Sequence, residues 1–238
     1  MQKMISYFLV LVLPFTYLQT DELYPSGIQL THINEDSELK QNLNLDNPSL
    51  IESFVFLPTN TAYDSFEASK MIMRLDGLPE WVLERAIEKG IYVRLFNENL
   101  TDFPTTEHLK GVTPRGYDNL ETTWDDVPGI GGSKLVLVKI GHSDKGHGHG
   151  SINLELHELA HSLDRFVFDN VRFDFQFLSV WEQETNQLFP GNDYFLLYPE
   201  EYFAETFAMY FYTKGSRDEL KMKAPLTFNY IQKLMKEN

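Results

Sequence analysis

The chain has 238 residues, 42% of them hydrophobic, with 18 Phe, 12 Tyr and 3 Trp. That is enough to bury the core of one domain and too aromatic for a disordered chain. A formal net charge of −15 argues against nucleic acid or an anionic membrane as the main partner, and the absence of cysteine rules out a disulfide framework or a lipoprotein anchor.

Residues 1–20, MQKMISYFLVLVLPFTYLQT, place Lys3 ahead of the apolar run Ile5 to Phe15. The run is short for a membrane span and suits a secretory signal, which predicts a secreted, extracellular protein; an uncleaved anchor is the alternative. With the signal removed, no stable membrane anchor is expected. Residues 21–49 are polar without an apolar period and are expected to be a linker or propiece, leaving 50–238 as the folded domain. IESFVFLP (51–58) reads as a strand closed by Pro58. A helix follows over 63–75, capped by Asp64 and Glu67, with Phe66, Ala68, Met71, Ile72 and Leu75 on one face. Pro79 can open a second helix, ended by Gly90, before the strand 91–97. Together these predict a small α/β lobe. Residues 98–133 are rich in loops, 133–141 form a strand, and HSDKGHGHG is a glycine-rich loop. Helices are expected over 152–168, 174–188, 199–213 and 226–236, a mainly helical second half.

LHELAH (156–161) sets His157 and His161 four residues apart, with Glu158 directly after the first histidine. That spacing puts both imidazoles on one helical face, where they can bind one zinc ion. Glu158, one residue on, is rotated off the ligand direction yet stays beside the metal, where it can move a proton. A helix packed only for burial would carry apolar groups at these positions, because an unpaired imidazole is costly to bury. A third protein ligand is still required. The aromatic helix YPEEYFAETFAMYF offers Glu200, Glu201 and Glu205. Helical position favours Glu201 for the metal and Glu205 for the outer N–H of a histidine ligand. Glu200 reads as solvated or substrate-facing, and the order of the three stays open at this level. His147 and His149 lie in the glycine-rich loop and rank low as ligands, although His149 can stand near substrate.

The segments TWDDVPGIGG, IGHSDKGHGHGSINLELHELAHSLD and YPEEYFAETFAMYF resemble the secreted Pro-Pro endopeptidases, zinc proteases related to the catalytic domain of anthrax lethal factor. The likeness runs from about residue 52 to the C-terminus. It implies an α+β, zincin-type metalloprotease fold with the active-site cleft between the two lobes, and one Zn2+ held by His157, His161 and Glu201, with Glu158 as general base. It also implies that Tyr194 steadies the oxyanion; among Tyr194, Tyr198, Tyr202 and Tyr210 the residues alone make no choice. Arg115 and Tyr117 fall where the family carries a Lys and a Trp of the substrate channel, and His149 falls on a family histidine. Strand 133–141 is expected as an edge that pairs with an extended peptide, and the loop after it is expected to close over that peptide.

The function expected is therefore a secreted zinc endopeptidase acting on proline-rich, Pro-Pro-containing segments of surface or adhesion proteins. Two alternatives stand beside it. One is a toxin-type protease aimed at host proteins, disfavoured because 238 residues leave no room for a translocation domain. The other is an inactive binding module of the same fold, disfavoured by the complete His157, Glu158, His161 set. Oligomeric state is not legible.

Overall fold

Leu30 and Leu39 are isolated apolar residues in a polar stretch, yet both are buried, and their burial draws the segment before residue 50 into the fold. The computed structural model describes residues 26–59, 62–116 and 121–236; the proposed signal, residues 1–20, and Tyr117 lie outside these. Ile28–Gln29 forms an edge strand, β1, and Glu38–Gln41 a single helical turn, α1. Residues 28–49, expected as linker or propiece, are thus part of the domain. The strand expected over 51–58 is mostly a helix, α2 (Pro48–Phe54), followed by only three strand residues, β2 (Val55–Leu57). Pro48 opens α2 and the i,i+3 pair Ile51 and Phe54 is buried.

Asp64 caps α3 (Ser65–Asp76) by accepting the amides of Phe66 and Glu67. Phe66 sits in its first turn and is 57% exposed, not on the buried face, with Lys70 lying over its ring. Next come α4 (Glu80–Glu88) and β3 (Tyr92–Phe96). The chain then covers one face of the sheet before forming β4 (Gly129–Ile130) and β5 (Leu135–Lys139). The strand order is β1-β2-β3-β5-β4. The three central strands are parallel, and both edges run antiparallel to their neighbours.

Alternation along β3 and β5 separates two apolar layers. Val93, Leu95, Val136 and Val138 face the main core under the helices. Phe96 and Leu137 face the other way and pack with Leu100, Phe103 and Val127 of the covering segment.

The second half is helical: α5 (Leu154–Phe166), α6 (Phe175–Leu188), α7 (Asp193–Leu197), α8 (Pro199–Tyr212), α9 (Lys214–Lys223) and α10 (Pro225–Leu234). Every residue of α8 from Glu201 to Tyr210 is buried, so this helix runs through the middle of its lobe. It packs on α5, and α5 in turn packs on β5 and β4. Among the described residues no helix is long and apolar enough to cross a membrane.

The edge strand is β4, not the strand 133–141, because β5 lies between β3 and β4. β4 and the residues after it press closely onto α5. A Cβ on Gly131 would stand 1.9 Å from the Glu158 carbonyl oxygen, and the Gly132 amide donates to Ser162 Oγ at 3.0 Å. Only glycine fits between these backbones. Gly131→Ala should therefore push the strand off the helix and cost about 1–3 kcal/mol, as overpacking does, read as a lower denaturant midpoint with an unchanged m value.

Candidate metal centre

Leu154, Leu156, Leu159, Ala160 and Leu163 bury one side of α5, and Asn153 caps it by accepting the Leu156 amide at 3.1 Å. This rotation sets His157 and His161 toward α8, where Pro199 starts the helix and places Glu201 and Glu205 one turn apart. The two Nε2 atoms are 3.3 Å apart, and each lies 3.4 Å from Glu201 Oε2. Donors bound at about 2.0–2.1 Å to a tetrahedral zinc stand about 3.3–3.4 Å from one another. The three atoms thus have the spacing of three corners of such a tetrahedron, and the residues that carry them line a cleft. Two imidazole nitrogens and a carboxylate oxygen also make a suitable donor set for zinc. His157, His161 and Glu201 form a group able to hold a metal ion.

Carboxylates around these donors fix their direction. Glu205 Oε2 lies 3.1 Å from His157 Nδ1, and its Oε1 accepts the Ile152 amide at 2.9 Å. The outer ring N–H of His157 is thereby held, and Nε2 is the nitrogen turned toward His161 and Glu201, able to serve as a ligand atom. Glu201 divides its oxygens: Oε2 meets the histidines, while Oε1 accepts from Arg115 Nη2 at 3.0 Å. The same Arg115 nitrogen donates to Glu200 at 3.0 Å, and the guanidinium stacks 3.8 Å from the centre of the Tyr198 ring. Arg115 and Glu200, expected at the substrate, line the cleft but are paired with each other, and Arg115 also with the candidate ligand Glu201.

The charges follow from this packing. Burial disfavours a charged His157 ring, yet its hydrogen bonds to Glu201 and Glu205 outweigh that and push its pKa up to about 10. Burial likewise opposes a charged Glu201, but the two histidines hold its carboxyl far below the usual range. Burial raises Glu158, against the pull of the neighbouring histidines, which moves it toward the range useful to a general base.

The cleft has a volume of about 1250 Å³. Glu158 and Tyr194 line it together with the three candidate ligands. Tyr194 is half-buried, its ring so close to Gly116 that a Cβ there would meet it at 2.5 Å. Burial and the Glu201 carboxylate raise its phenol pKa and keep the proton on it. His149 also lines the cleft, but both its nitrogens are engaged: Nε2 lies 2.7 Å from the His142 carbonyl oxygen and Nδ1 3.0 Å from Ser151 Oγ. Its work is to hold the glycine-rich loop, which is tied down again where Tyr212 donates to Asp144 at 2.7 Å. Sequence reasoning missed the wall made by Gly129–Gly132; the run PGIGG is the signal that could have found it, since clustered glycines mark close backbone approach.

A proton competes for His157 below its raised pKa of about 10, so metal affinity should already be falling as pH drops from about 10 toward neutrality and should keep falling below it, measurable by competition with a chromophoric chelator. Glu205→Ala should weaken metal binding about 10–100-fold in the same titration; an unchanged affinity would remove Glu205 from this role.

Comparison with known proteins agrees with this geometry. The family described as anthrax toxin lethal factor, N- and C-terminal domain, matches residues 41–234. A Pro-Pro endopeptidase of Paenibacillus alvei is 39% identical over 186 residues, covering 78% of this chain and 85% of the relative. One of Clostridioides difficile (strain 630) is 39% identical over 191 residues, covering 80% and 85%. The solved structure of the Pro-Pro endopeptidase PPEP-2 from Paenibacillus alvei superposes with a TM-score of 0.73 at 38% identity, covering 78% of this chain and 99% of that one. The chain therefore belongs to the anthrax toxin lethal factor domain family and is a relative of Pro-Pro endopeptidases.

Proposed function

We propose that this protein is a zinc-dependent endopeptidase that hydrolyses Pro-Pro bonds in proline-rich peptide segments. The observation that carries the reading is the triangle of His157 Nε2, His161 Nε2 and Glu201 Oε2, 3.3 to 3.4 Å on each side, opening into a cleft that Glu158 and Tyr194 share. Two relatives at 39% identity named Pro-Pro endopeptidase support the choice of bond.

A zinc ion held by the three ligands would supply Lewis-acid polarisation of the scissile carbonyl and acidify water. The chain's own groups do the rest. Glu158 takes a proton from the attacking water onto its carboxylate and returns it to the departing nitrogen, the imino group of the second proline. The Tyr194 phenol, which keeps its proton, donates a hydrogen bond to the carbonyl oxygen as negative charge develops there. Glu205 holds the His157 ring. Arg115 fixes the free oxygen of Glu201 and so keeps the other aimed at the histidines.

Substrate binding fits the edge strand β4, whose outer side faces the cleft. Proline has no N–H to offer such a ladder, so selection must come from shape. Trp124, Phe189, Tyr194 and Phe195 on the cleft walls supply flat apolar surface for a proline-rich chain. The intact Glu158 between the two histidines speaks against a binding module without activity. An exported enzyme completes the reading, resting on the sequence pattern of residues 1–20 alone; N-terminal sequencing of protein from culture medium tests it.

A Pro-Pro peptide should be cut by zinc-loaded protein and spared after chelation. Glu158→Gln should retain zinc and lose about 10²–10⁴ in kcat. Tyr194→Phe should lower kcat by on the order of 10² with KM nearly unchanged. Equal cleavage with and without chelator would overturn the reading.

A further inference from the structure

The cleft continues past the metal ligands toward the C-terminal end of α5, where its charge changes sign. Around the ligands Glu158, Glu200, Glu201 and Glu205 outnumber the one cation among them, Arg115, which pairs with Glu200 and Glu201; Lys145 lines the cleft from the glycine-rich loop. At the far end it is lined by Arg165, Asn170, Arg172 and Phe173. Arg172 is matched by the buried Asp164. Arg165 is not matched: it is exposed and donates to the Gly132 carbonyl at 3.1 Å, and no carboxylate pairs with it among the described residues. In a chain of formal net charge −15, this is an unneutralised cation on a cleft wall.

The position of Arg165 relative to the metal ligands follows from helix geometry. It is one turn beyond His161, about 6 Å along α5 at about 1.5 Å per residue. The segment Gly129–Gly132 runs the same way along the helix. Gly129 faces Leu154 and Glu158, Gly131 crosses the Glu158 carbonyl, and Gly132 meets Ser162 and Arg165. A peptide laid along β4 therefore travels in line from the ligands to Arg165, and at about 3.3 Å per residue it reaches the guanidinium two to three residues from the bond being cut. Phe173, 72% exposed, adds an apolar ring to the same wall.

We propose that Arg165 is a specificity-determining residue that selects substrates carrying Asp or Glu two to three positions from the scissile Pro-Pro bond. The inference rests on the endopeptidase reading and adds to it a charge preference. Guanidinium and carboxylate can pair through two parallel N–H···O bonds, while a lysine at that position would face Arg165 with like charge.

The test is a peptide set with a constant Pro-Pro core and Asp, Ala or Lys at the second and third positions on either side, assayed as kcat/KM with zinc-loaded protein. At one of these positions Asp should exceed Lys by about three- to fivefold, the size expected of a partly exposed ion pair. Raising the salt concentration should flatten the ratio. Arg165→Lys should keep the preference, Arg165→Ala should level it, and Arg165→Glu should reverse it toward Lys. The same Asp-to-Lys ratio in wild type and Arg165→Glu at every position would overturn the proposal while leaving the endopeptidase intact. Failure to cut any peptide, whatever its charge, would instead fall on the endopeptidase reading and take the preference with it.

Discussion

The contact between α5 and α8 is the constraint on which the rest depends, because it buries charge and must therefore satisfy it. His157, Glu201 and Glu205 all lie below one tenth exposure, where an unpaired carboxylate or imidazolium would cost several kcal/mol. Glu205 answers for two groups at once, accepting the Ile152 amide ahead of α5 and facing the Nδ1 side of His157. Glu201 is shared in the same way between the two histidines on one oxygen and Arg115 on the other. The apolar packing of Leu159, Leu163, Phe203 and Phe207 around this contact is ordinary core. What it achieves is to set four polar groups at distances where each restricts the next.

The cleft is built on the side of α5 that this packing leaves free. Gly129–Gly132 can lie against the helix only because no side chain intervenes at Gly131. Ser162, by donating to the Ser133 carbonyl at 2.7 Å and accepting the Gly132 amide, ties the strand to the same helix. The opposite rim is closed by Gly116 against the Tyr194 ring and by Arg115 on Tyr198. A single helix thus carries the two candidate histidine ligands and the proposed base while also serving as the bed of β4, so cleft width and the spacing of the donor atoms are mechanically linked. The protein is a peptidase of the anthrax toxin lethal factor domain family, related to Pro-Pro endopeptidases.

How much of this the sequence disclosed varies by element. The long helices were legible because their apolar residues recur at helical spacing and, for α3, because the cap Asp64 is explicit; the structure adds Asp174 and Asn153, which also accept first-turn amides. Short elements were not. β1 and β4 have two residues each, too few for a period to show, and the end of α2 was read as strand because Phe54 runs on into Val55, Phe56 and Leu57 as one apolar stretch before Pro58. α9 escaped notice because only Ser216 and Leu220 of its ten residues are buried.

The site divides along the same line. His157, Glu158 and His161 lie within five residues of one another on one helix, so local geometry brings them together, and sequence by itself determined that the two histidines share a face with Glu158 beside it. Glu201 lies forty residues from His161, and its neighbours Glu200 and Glu205 are chemically equal to it. Only the docking of α8 decided which carboxylate meets the histidines, which holds the outer N–H of His157 and which turns to Arg115. The roles of His149 and Arg115 were likewise decided in three dimensions, where their hydrogen bonds go to the protein itself. Spacing along one helix is fixed by covalent geometry; distances between helices are fixed by packing, which no local pattern encodes.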